Sequence, residues 1–129
     1  MDLDSFKQIN DTYGHQAGDQ VLKDFVELIK AYSRKEDRLF RFGGEEFVLL
    51  LPNTDQDSLQ TVASHLQQQV ALQLKGPGGT VTMSSGGAIL QRGEHWETML
   101  QRADQRLYLA KSAGRNRAIV ADPLALAQE

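Results

Sequence analysis

The chain has 129 residues and a formal net charge of −3, with 40% hydrophobic and 24% charged residues. This balance is typical of one globular domain, and it excludes a disordered chain and a strongly basic nucleic-acid-binding surface. No cysteine is present, no apolar run approaches the ~20 residues of a membrane span, and the acidic start is unlike a signal peptide. A cytoplasmic protein without disulfides or membrane contact is therefore expected.

The first part of the chain alternates short extended and helical patterns. Residues 1–6 fit a strand, and residues 10–18 are rich in turn-forming types. Asp19 is placed to cap a helix whose apolar residues recur at helical spacing as far as Tyr32. A polar break then precedes a hairpin over about residues 38–51.

The rest of the chain continues this mixture of helices and strands. In order, the pattern predicts a helix that starts at residues 52–54, a flexible loop over 75–79, a strand over 80–89, a helix over 95–112 with Trp96 facing inward, and a short strand over 118–120. These elements predict an α+β sandwich, in which helices pack on the faces of one sheet. Residues 1–122 form the single predicted domain, and residues 123–129 a weakly ordered tail.

The hairpin carries two glycines and two adjacent acids at its tip: Gly43, Gly44, Glu45 and Glu46. Glycine permits a sharp turn, and two neighbouring carboxylates repel each other unless water or a cation screens them. Asp2 and Asp4 lie two apart on the predicted first strand and so point to one face. Alone they fit solvent-facing acids, but beside the hairpin tip they predict an oxygen-ligand site suited to Mg²⁺ or Mn²⁺.

Two further pairs have both a structural and a functional interpretation. Lys111 and Arg115 lie one turn apart at the end of the last helix, where they interact with the helix dipole or grip a polyphosphate. Asn10 and Asp19 frame the predicted first turn, where they form a turn and a helix cap or hydrogen-bond the polar edge of a guanine. From the residues alone, both interpretations stay open.

Four segments, in this order along the chain, resemble the signatures of GGDEF domains. They are residues 2–19, 41–47, 81–86 and 103–116, and the second resembles the name-giving motif in its GGEEF form. The resemblance covers about residues 2–120. It implies a GGDEF or nucleotide-cyclase-like fold, related to the ferredoxin-like palm, with a central, mainly antiparallel sheet flanked by helices.

The same resemblance implies a diguanylate cyclase, which condenses two GTP molecules into cyclic di-GMP and pyrophosphate as a dimer of half-sites. Asp2, the Leu3 carbonyl and Glu45 are then metal ligands for Mg²⁺ or Mn²⁺, and Glu46 activates the 3′-hydroxyl or assists at a second metal. The implied substrate-binding residues are Asn10 and Asp19 at the guanine, Lys111 and Arg115 at the outer phosphates, and Phe6, Lys7, Gly43 and Gly44 around the rest of the nucleotide.

Arg34 and Asp37 match the position of the inhibitory product site of this family, with five residues between Asp37 and Gly43. The resemblance implies that Arg34 pairs with a guanine or phosphate of cyclic di-GMP and that Asp37 accepts from guanine N–H groups. The alternative is an ordinary turn with a local surface ion pair worth about 1 kcal/mol or less.

In the family that this chain resembles, a helix and the first part of the first strand come before the position that corresponds to Met1. The chain is therefore expected to be an N-terminally truncated piece of a protein whose sensory or regulatory domain controls dimerisation. One alternative function is a catalytically silent module that binds GTP or cyclic di-GMP. Another is a polymerase-like or adenylate-type enzyme, which shares the acids but needs a different base-reading pair.

Overall fold

The computed structural model describes residues 1–122, and the predicted tail over 123–129 lies outside the described residues. The helices in the described part are α1 (Phe6–Tyr13), α2 (His15–Ala31), α3 (Gln56–Gln73) and α4 (Trp96–Ser112). The strands there are β1 (Asp2–Leu3), β2 (Arg38–Gly43), β3 (Glu46–Leu50), β4 (Lys75–Gly76), β5 (Gly79–Thr80), β6 (Met83–Gly86) and β7 (Arg117–Ile119). Within residues 1–122, no helix combines the length and apolar character that a bilayer crossing requires.

Five strands form one mixed sheet in the order β2-β3-β1-β6-β7. The β2–β3, β3–β1 and β1–β6 pairs are antiparallel, whereas β6–β7 is parallel. Because helices flank this sheet, the predicted α+β class with a mainly antiparallel sheet is confirmed. Strand β1 is only two residues long, yet it lies at the centre and places residues 2 and 3 between the β2–β3 hairpin and β6.

The apolar core fixes α2 against the sheet. Phe25 and Ile29 of α2 are completely buried, and the ring of Phe25 lies 5.0 Å from that of Phe47 on β3. Met83 of β6 and Val70 of α3 complete the same cluster. Each such side chain contributes about 1.5–3 kcal/mol through removal from water. Helix α4 packs on β6 and β7, so its C-terminal end is held beside the centre of the sheet.

The prediction for the first 19 residues is wrong in its elements. The first strand ends at Leu3, and residues 10–18 lie in two helices that meet at Gly14, whose φ of +93° breaks the helical path. Asp19 lies inside α2 and does not cap it. The polar residues here have weak helix propensity, but packing of α1 on α2 overrides that preference.

Three predictions in the second half also need correction. The loop over 75–79 contains the two-stranded β4–β5 hairpin around a Pro-Gly turn. Within the strand predicted over 80–89, Thr80 belongs to β5 and Met83–Gly86 form β6, whose partners β1 and β7 are only two and three residues long. Trp96 is 59% exposed at the first turn of α4 and does not face inward.

Candidate active site

The central strand β1 carries the first predicted metal ligands into the middle of the sheet. Asp2 lies opposite Glu46 on one side and Ser84 on the other. The Leu3 N–H donates to the Glu45 carbonyl at 3.4 Å, so the acidic turn is attached directly to β1. Asp2, Leu3, Glu45 and Glu46 are therefore brought together, as the sequence predicted.

The carboxylate of Asp2 is the most buried acid of this site, because the residue is only 4% exposed. Lys111 of α4 donates to its Oδ2, while Oδ1 is buried and has no hydrogen-bond partner among the described residues. An unpaired buried carboxylate oxygen is costly unless a cation or water satisfies it. The donor set of one carboxylate, the Leu3 carbonyl and the half-buried Glu45 suits a hard cation that keeps several waters.

A conventional all-protein metal cluster is absent from this part of the chain. Over residues 1–122, no group of three or more His, Asp or Glu side chains is arranged to hold a metal ion. A cation at Asp2 would therefore need ligands besides carboxylate side chains, such as the Leu3 carbonyl and waters.

The tip of the β2–β3 hairpin places its two acids differently. Gly44 and Glu45 form the turn, whereas Glu46 already belongs to β3 and is exposed. The Arg41 Nε donates to the Gly44 carbonyl at 2.9 Å, and an irregularity between Arg41 and Gly43 bends this edge. The sequence placed both acids at the tip; the structure has Glu45 in the turn and Glu46 beside Asp2 in the ladder.

The two predicted phosphate-binding residues lie on either side of the C-terminus of α4. Lys111 is in the last turn and contacts Asp2, while Arg115 lies in the turn that follows and is exposed. The Arg115 N–H donates to the Ala110 carbonyl at 3.0 Å, which ties this turn back to the helix. The structure therefore brings Lys111 to the acidic centre and leaves the Arg115 side chain at the surface beside it.

Asn10 and Asp19 belong to the packed pair of helices α1 and α2. Gly18 of α2 faces Asn10 so closely that a β-carbon there would lie 1.8 Å from Asn10 Oδ1. Asn10 Oδ1 is buried without a hydrogen-bond partner among the described residues, and Asp19 is exposed on the next position of α2. An amide oxygen without a partner and a neighbouring free carboxylate form an arrangement that a ligand with several N–H groups can satisfy.

Phe6 and Lys7 form the first turn of α1. Phe6 is buried and Lys7 is exposed, and the preceding Ser5 has a left-handed φ of 59°. In the described part of the chain, no side chain caps this helix end. The N–H groups of the first turn are thus available to an anion.

Arg34 and Asp37 form a tight local pair between α2 and β2. The guanidinium of Arg34 donates to Asp37 Oδ1 at 3.0 Å, and the Arg34 backbone N–H donates to Oδ2 at 2.7 Å. The same guanidinium reaches the Pro52 carbonyl at 2.7 Å and Thr54 Oγ1 at 3.1 Å. The hydrogen bond to Asp37 raises the pKa of Arg34 above its usual value. The local ion pair between Arg34 and Asp37, which the alternative interpretation of the sequence expects, is therefore formed, and it orients both residues.

A large apolar groove adjoins these polar groups, since Glu46 is among its lining residues. Its volume is about 890 Å³, and its lining includes Phe40, Phe42, Val48, Trp96 and Met99. The groove borders β2, β3 and α4, and the described residues of its lining include the acids Glu46 and Asp104 but no lysine or arginine that could bind a polyphosphate. The acidic centre at β1 remains the candidate site on chemical grounds.

Residues 1–117 match the family described as diguanylate cyclase, GGDEF domain. The chain belongs to the GGDEF family. It is 42% identical over 124 residues to diguanylate cyclase DgcP of Pseudomonas aeruginosa, covering 94% of this chain and 18% of that protein.

Two solved GGDEF structures resemble this chain in fold as well as sequence. One is the GGDEF domain of DgcB from Caulobacter crescentus in complex with c-di-GMP, with 35% identity, a TM-score of 0.85, and coverage of 92% of this chain and 73% of that one. The other is the active GGEEF domain of a diguanylate cyclase from Vibrio cholerae, with 33% identity, a TM-score of 0.87, and coverage of 94% and 79%. This chain spans only 18% of the length of DgcP of Pseudomonas aeruginosa and 33% of that of diguanylate cyclase A of Treponema denticola. The predicted family and fold are confirmed.

Proposed function

We propose that this chain is the catalytic domain of a diguanylate cyclase, which joins two GTP molecules into cyclic di-GMP and releases two pyrophosphates. The observation that carries the proposal is the convergence of acidic and basic groups at the central strand. Asp2 lies opposite Glu46, its backbone adjoins the Glu45 turn, and its carboxylate pairs with Lys111. Phosphoryl transfer needs this combination, because catalysis depends on charge neutralisation and positioning.

Asp2, the Leu3 carbonyl and Glu45 are the residues proposed to hold Mg²⁺ or Mn²⁺. The buried and unpaired Oδ1 of Asp2 supports this assignment. When bound, such a cation offsets the phosphate charge and polarises the attacking and bridging oxygens. Gly43 and Gly44 lie in the same hairpin, where the absence of side chains leaves room for the substrate.

The proposed GTP position uses three groups around the acidic centre. Asn10 and Asp19 accept from the guanine N–H groups, which the unpaired Asn10 Oδ1 supports. The open first turn of α1, with Phe6 and Lys7, donates N–H groups to the phosphates. The side chains of Lys111 and Arg115 complete the site at the outer phosphates.

In the proposed reaction, each 3′-hydroxyl attacks the α-phosphorus of the other GTP. A new P–O bond forms as the bond to pyrophosphate breaks, and the hydroxyl proton leaves. Glu46 is exposed and adjacent to the acidic centre, so it is proposed to assist that deprotonation. Because one chain holds one GTP in this arrangement, the second must come from another copy, and a sensory or regulatory domain is proposed to control their meeting.

The test is incubation of the full-length protein with GTP and either Mg²⁺ or Mn²⁺, followed by separation of the nucleotides. Cyclic di-GMP and pyrophosphate are the expected products, and Glu46→Gln is expected to lower the rate at least tenfold. Glu27→Gln, which changes an exposed acid of α2, is the matched control and should keep the rate. Absence of cyclic di-GMP at protein concentrations that enforce dimers would reject the proposal.

A second candidate is a cyclic di-GMP receptor without turnover. The ordered pair of Arg34 and Asp37 favours it, because the buried Asp37 carboxylate orients the exposed Arg34 guanidinium beside a cavity of about 230 Å³. In the cyclase proposal the same pair is an inhibitory product site. Cyclic di-GMP binding with no GTP turnover would favour the receptor, whereas turnover that cyclic di-GMP suppresses would favour the cyclase.

A further inference from the structure

Asp4 is a buried acid that the proposed reaction leaves without a role. It is 9% exposed and lies in the turn that follows β1. Its Oδ1 accepts from the Ser84 hydroxyl at 2.6 Å, and its Oδ2 accepts from the Thr82 hydroxyl at 2.7 Å and from the Asn116 N–H at 3.0 Å. One carboxylate therefore connects the end of β1, the β6 region and the turn after α4.

The turn after α4 has a backbone that needs support. Gly114, Arg115 and Asn116 have φ values of 120°, 64° and 49°, so three successive residues are in the left-handed region. Non-glycine residues adopt this region at a cost, which surrounding contacts must offset. The described contacts of Asn116 are with Asp4 through its N–H and with Gln67 Nε2 through its Oδ1, at 2.9 Å.

The hydrogen bonds of Asp4 connect two parts of the candidate site. Asp4 is two residues from Asp2, the proposed cation ligand, and Asn116 is adjacent to Arg115, the proposed phosphate ligand. Hydrogen bonds to a buried carboxylate are about twice as strong as those between neutral groups. A shift of the turn by one ångström would move the Arg115 guanidinium away from a phosphate that the cation site positions.

We propose that Asp4 is a positioning residue, which holds the 114–116 turn so that Arg115 meets the outer phosphates of the nucleotide. Asp4 does not contact the nucleotide in this assignment; it acts through the Asn116 N–H. The inference rests on the proposed function, since it requires a guanine nucleotide at the β1 site.

The experiment compares two ligands in the full-length protein: the triphosphate and the monophosphate of 3′-deoxyguanosine, which lack the attacking hydroxyl. Equilibrium titration of each ligand in the presence of Mg²⁺ gives the ratio of the triphosphate affinity to the monophosphate affinity. This ratio reports the contribution of the outer phosphates. Asp4→Ala is expected to lower this ratio about tenfold, the loss expected from one charge-assisted hydrogen bond. The monophosphate affinity should stay within about twofold, because the guanine contacts are on α1 and α2. General destabilisation would instead lower both affinities together.

Asp4→Asn is the matched variant. The Asn116 N–H can only donate, so the amide oxygen takes the place of Oδ2 and the amide nitrogen faces Ser84, whose hydroxyl can turn to accept. The affinity ratio should therefore return to within about threefold of the unmodified value. A ratio as low as that of Asp4→Ala would contradict positioning through this hydrogen bond.

Arg115→Ala completes a double-mutant cycle with Asp4→Ala. If Asp4 acts through Arg115, the second substitution adds little to the first, whereas independent roles give multiplied losses and overturn the proposal. Should Asp4→Ala fail to fold, Asp4→Ser admits water to the buried donors and carries the same expectation. If the unmodified protein prefers the triphosphate and Asp4→Ala keeps this preference, the role of Asp4 is rejected and the proposed function is not. If the unmodified protein binds neither nucleotide, the proposed function is rejected together with the role of Asp4.

Discussion

The ammonium group of Lys111 pairs with the carboxylate of Asp2, so the residue expected at the outer phosphates and the residue expected at the cation neutralise each other. The pair joins the last turn of α4 to the central strand. If the pair separates, a cation can replace Lys111 as the partner of Asp2, and a phosphate can replace Asp2 as the partner of Lys111. Binding of the two together is therefore less costly than binding of either alone.

The Asp2–Lys111 pair can be tested through stability. Lys111→Met keeps most of the aliphatic side chain but leaves the Asp2 carboxylate unpaired. We expect a loss of about 1–3 kcal/mol in the free energy of unfolding, below the cost for a fully buried pair because the Lys111 side chain is 34% exposed. Added Mg²⁺ should raise the melting temperature of this variant more than that of the unmodified chain, because the carboxylate is free to bind it.

Lys30→Met provides the control, since Lys30 occupies the last turn of α2 as Lys111 does that of α4. Loss of a favourable interaction with the helix dipole should cost about 0.3–1 kcal/mol there, with no added response to Mg²⁺. Equal losses in both variants, measured by thermal unfolding, would show that the contact with Asp2 contributes nothing.

A single methyl group at position 18 should disturb nucleotide binding without a charge change. In Gly18→Ala the new β-carbon meets Asn10 Oδ1 at 1.8 Å and Phe6 Cζ at 3.2 Å, so the Asn10 side chain must move. Overpacking costs about 1–3 kcal/mol, offset in part by the better helix propensity of alanine. We expect the affinity for GTP to fall about tenfold while the helical content is retained, as measured by titration and circular dichroism.

The double variant Asn10→Ala with Gly18→Ala separates packing from recognition. Removal of the Asn10 amide relieves the clash, so the stability lost in Gly18→Ala should return. The nucleotide affinity should stay low, because the proposed contact between Asn10 and the guanine is then missing. Recovery of affinity together with stability would mean that Asn10 takes no part in binding the base.

Much of the fold and of the candidate site could be predicted because the signals are local. The β2–β3 hairpin follows from glycines between apolar runs, and α4 from its helical periodicity. The residues of the candidate site come from three separated motifs, which the fold brings together. The different surroundings of Asp2 and Asp4 could not be predicted, because they depend on β1 ending at Leu3 and on Ser5 having a left-handed φ of 59°. Helix α1 and the first turn of α2 were missed because tertiary packing, rather than propensity, stabilises them.

The proposed product site makes a prediction about ligand specificity. Arg34→Ala removes the guanidinium that contacts Asp37, Pro52 and Thr54. We expect the affinity for cyclic di-GMP to fall at least tenfold, with the GTP affinity unchanged, in parallel titrations. Thr54→Val removes one contact of the guanidinium but keeps the Arg34–Asp37 pair, so its cyclic di-GMP affinity should stay within about threefold. A loss in Thr54→Val as large as that in Arg34→Ala would point to the local fold rather than to Arg34.

The last prediction concerns pH and the loop before α4. Arg102 donates to both carboxylate oxygens of Glu94, at 2.6 and 2.9 Å, and the Gln91 N–H donates to Oε1 at 3.1 Å. The hydrogen bonds from Arg102, followed by the one from Gln91, lower the pKa of Glu94 from 4.5 to about 2. Because the pKa is lower in the folded state, this carboxylate stabilises the fold above pH 4.5, and the contribution is lost as the pH falls from 4.5 towards 2.

Glu94→Gln should therefore be less stable than the unmodified chain at neutral pH, and the difference in unfolding midpoint should shrink steadily below pH 4.5. Urea unfolding at a series of pH values measures this difference directly. Glu27→Gln, at an exposed position of α2, should show a small difference that does not follow the same pH range. A constant gap between Glu94→Gln and the unmodified chain down to the lowest pH would mean that the ionised Glu94 carboxylate does not stabilise this loop.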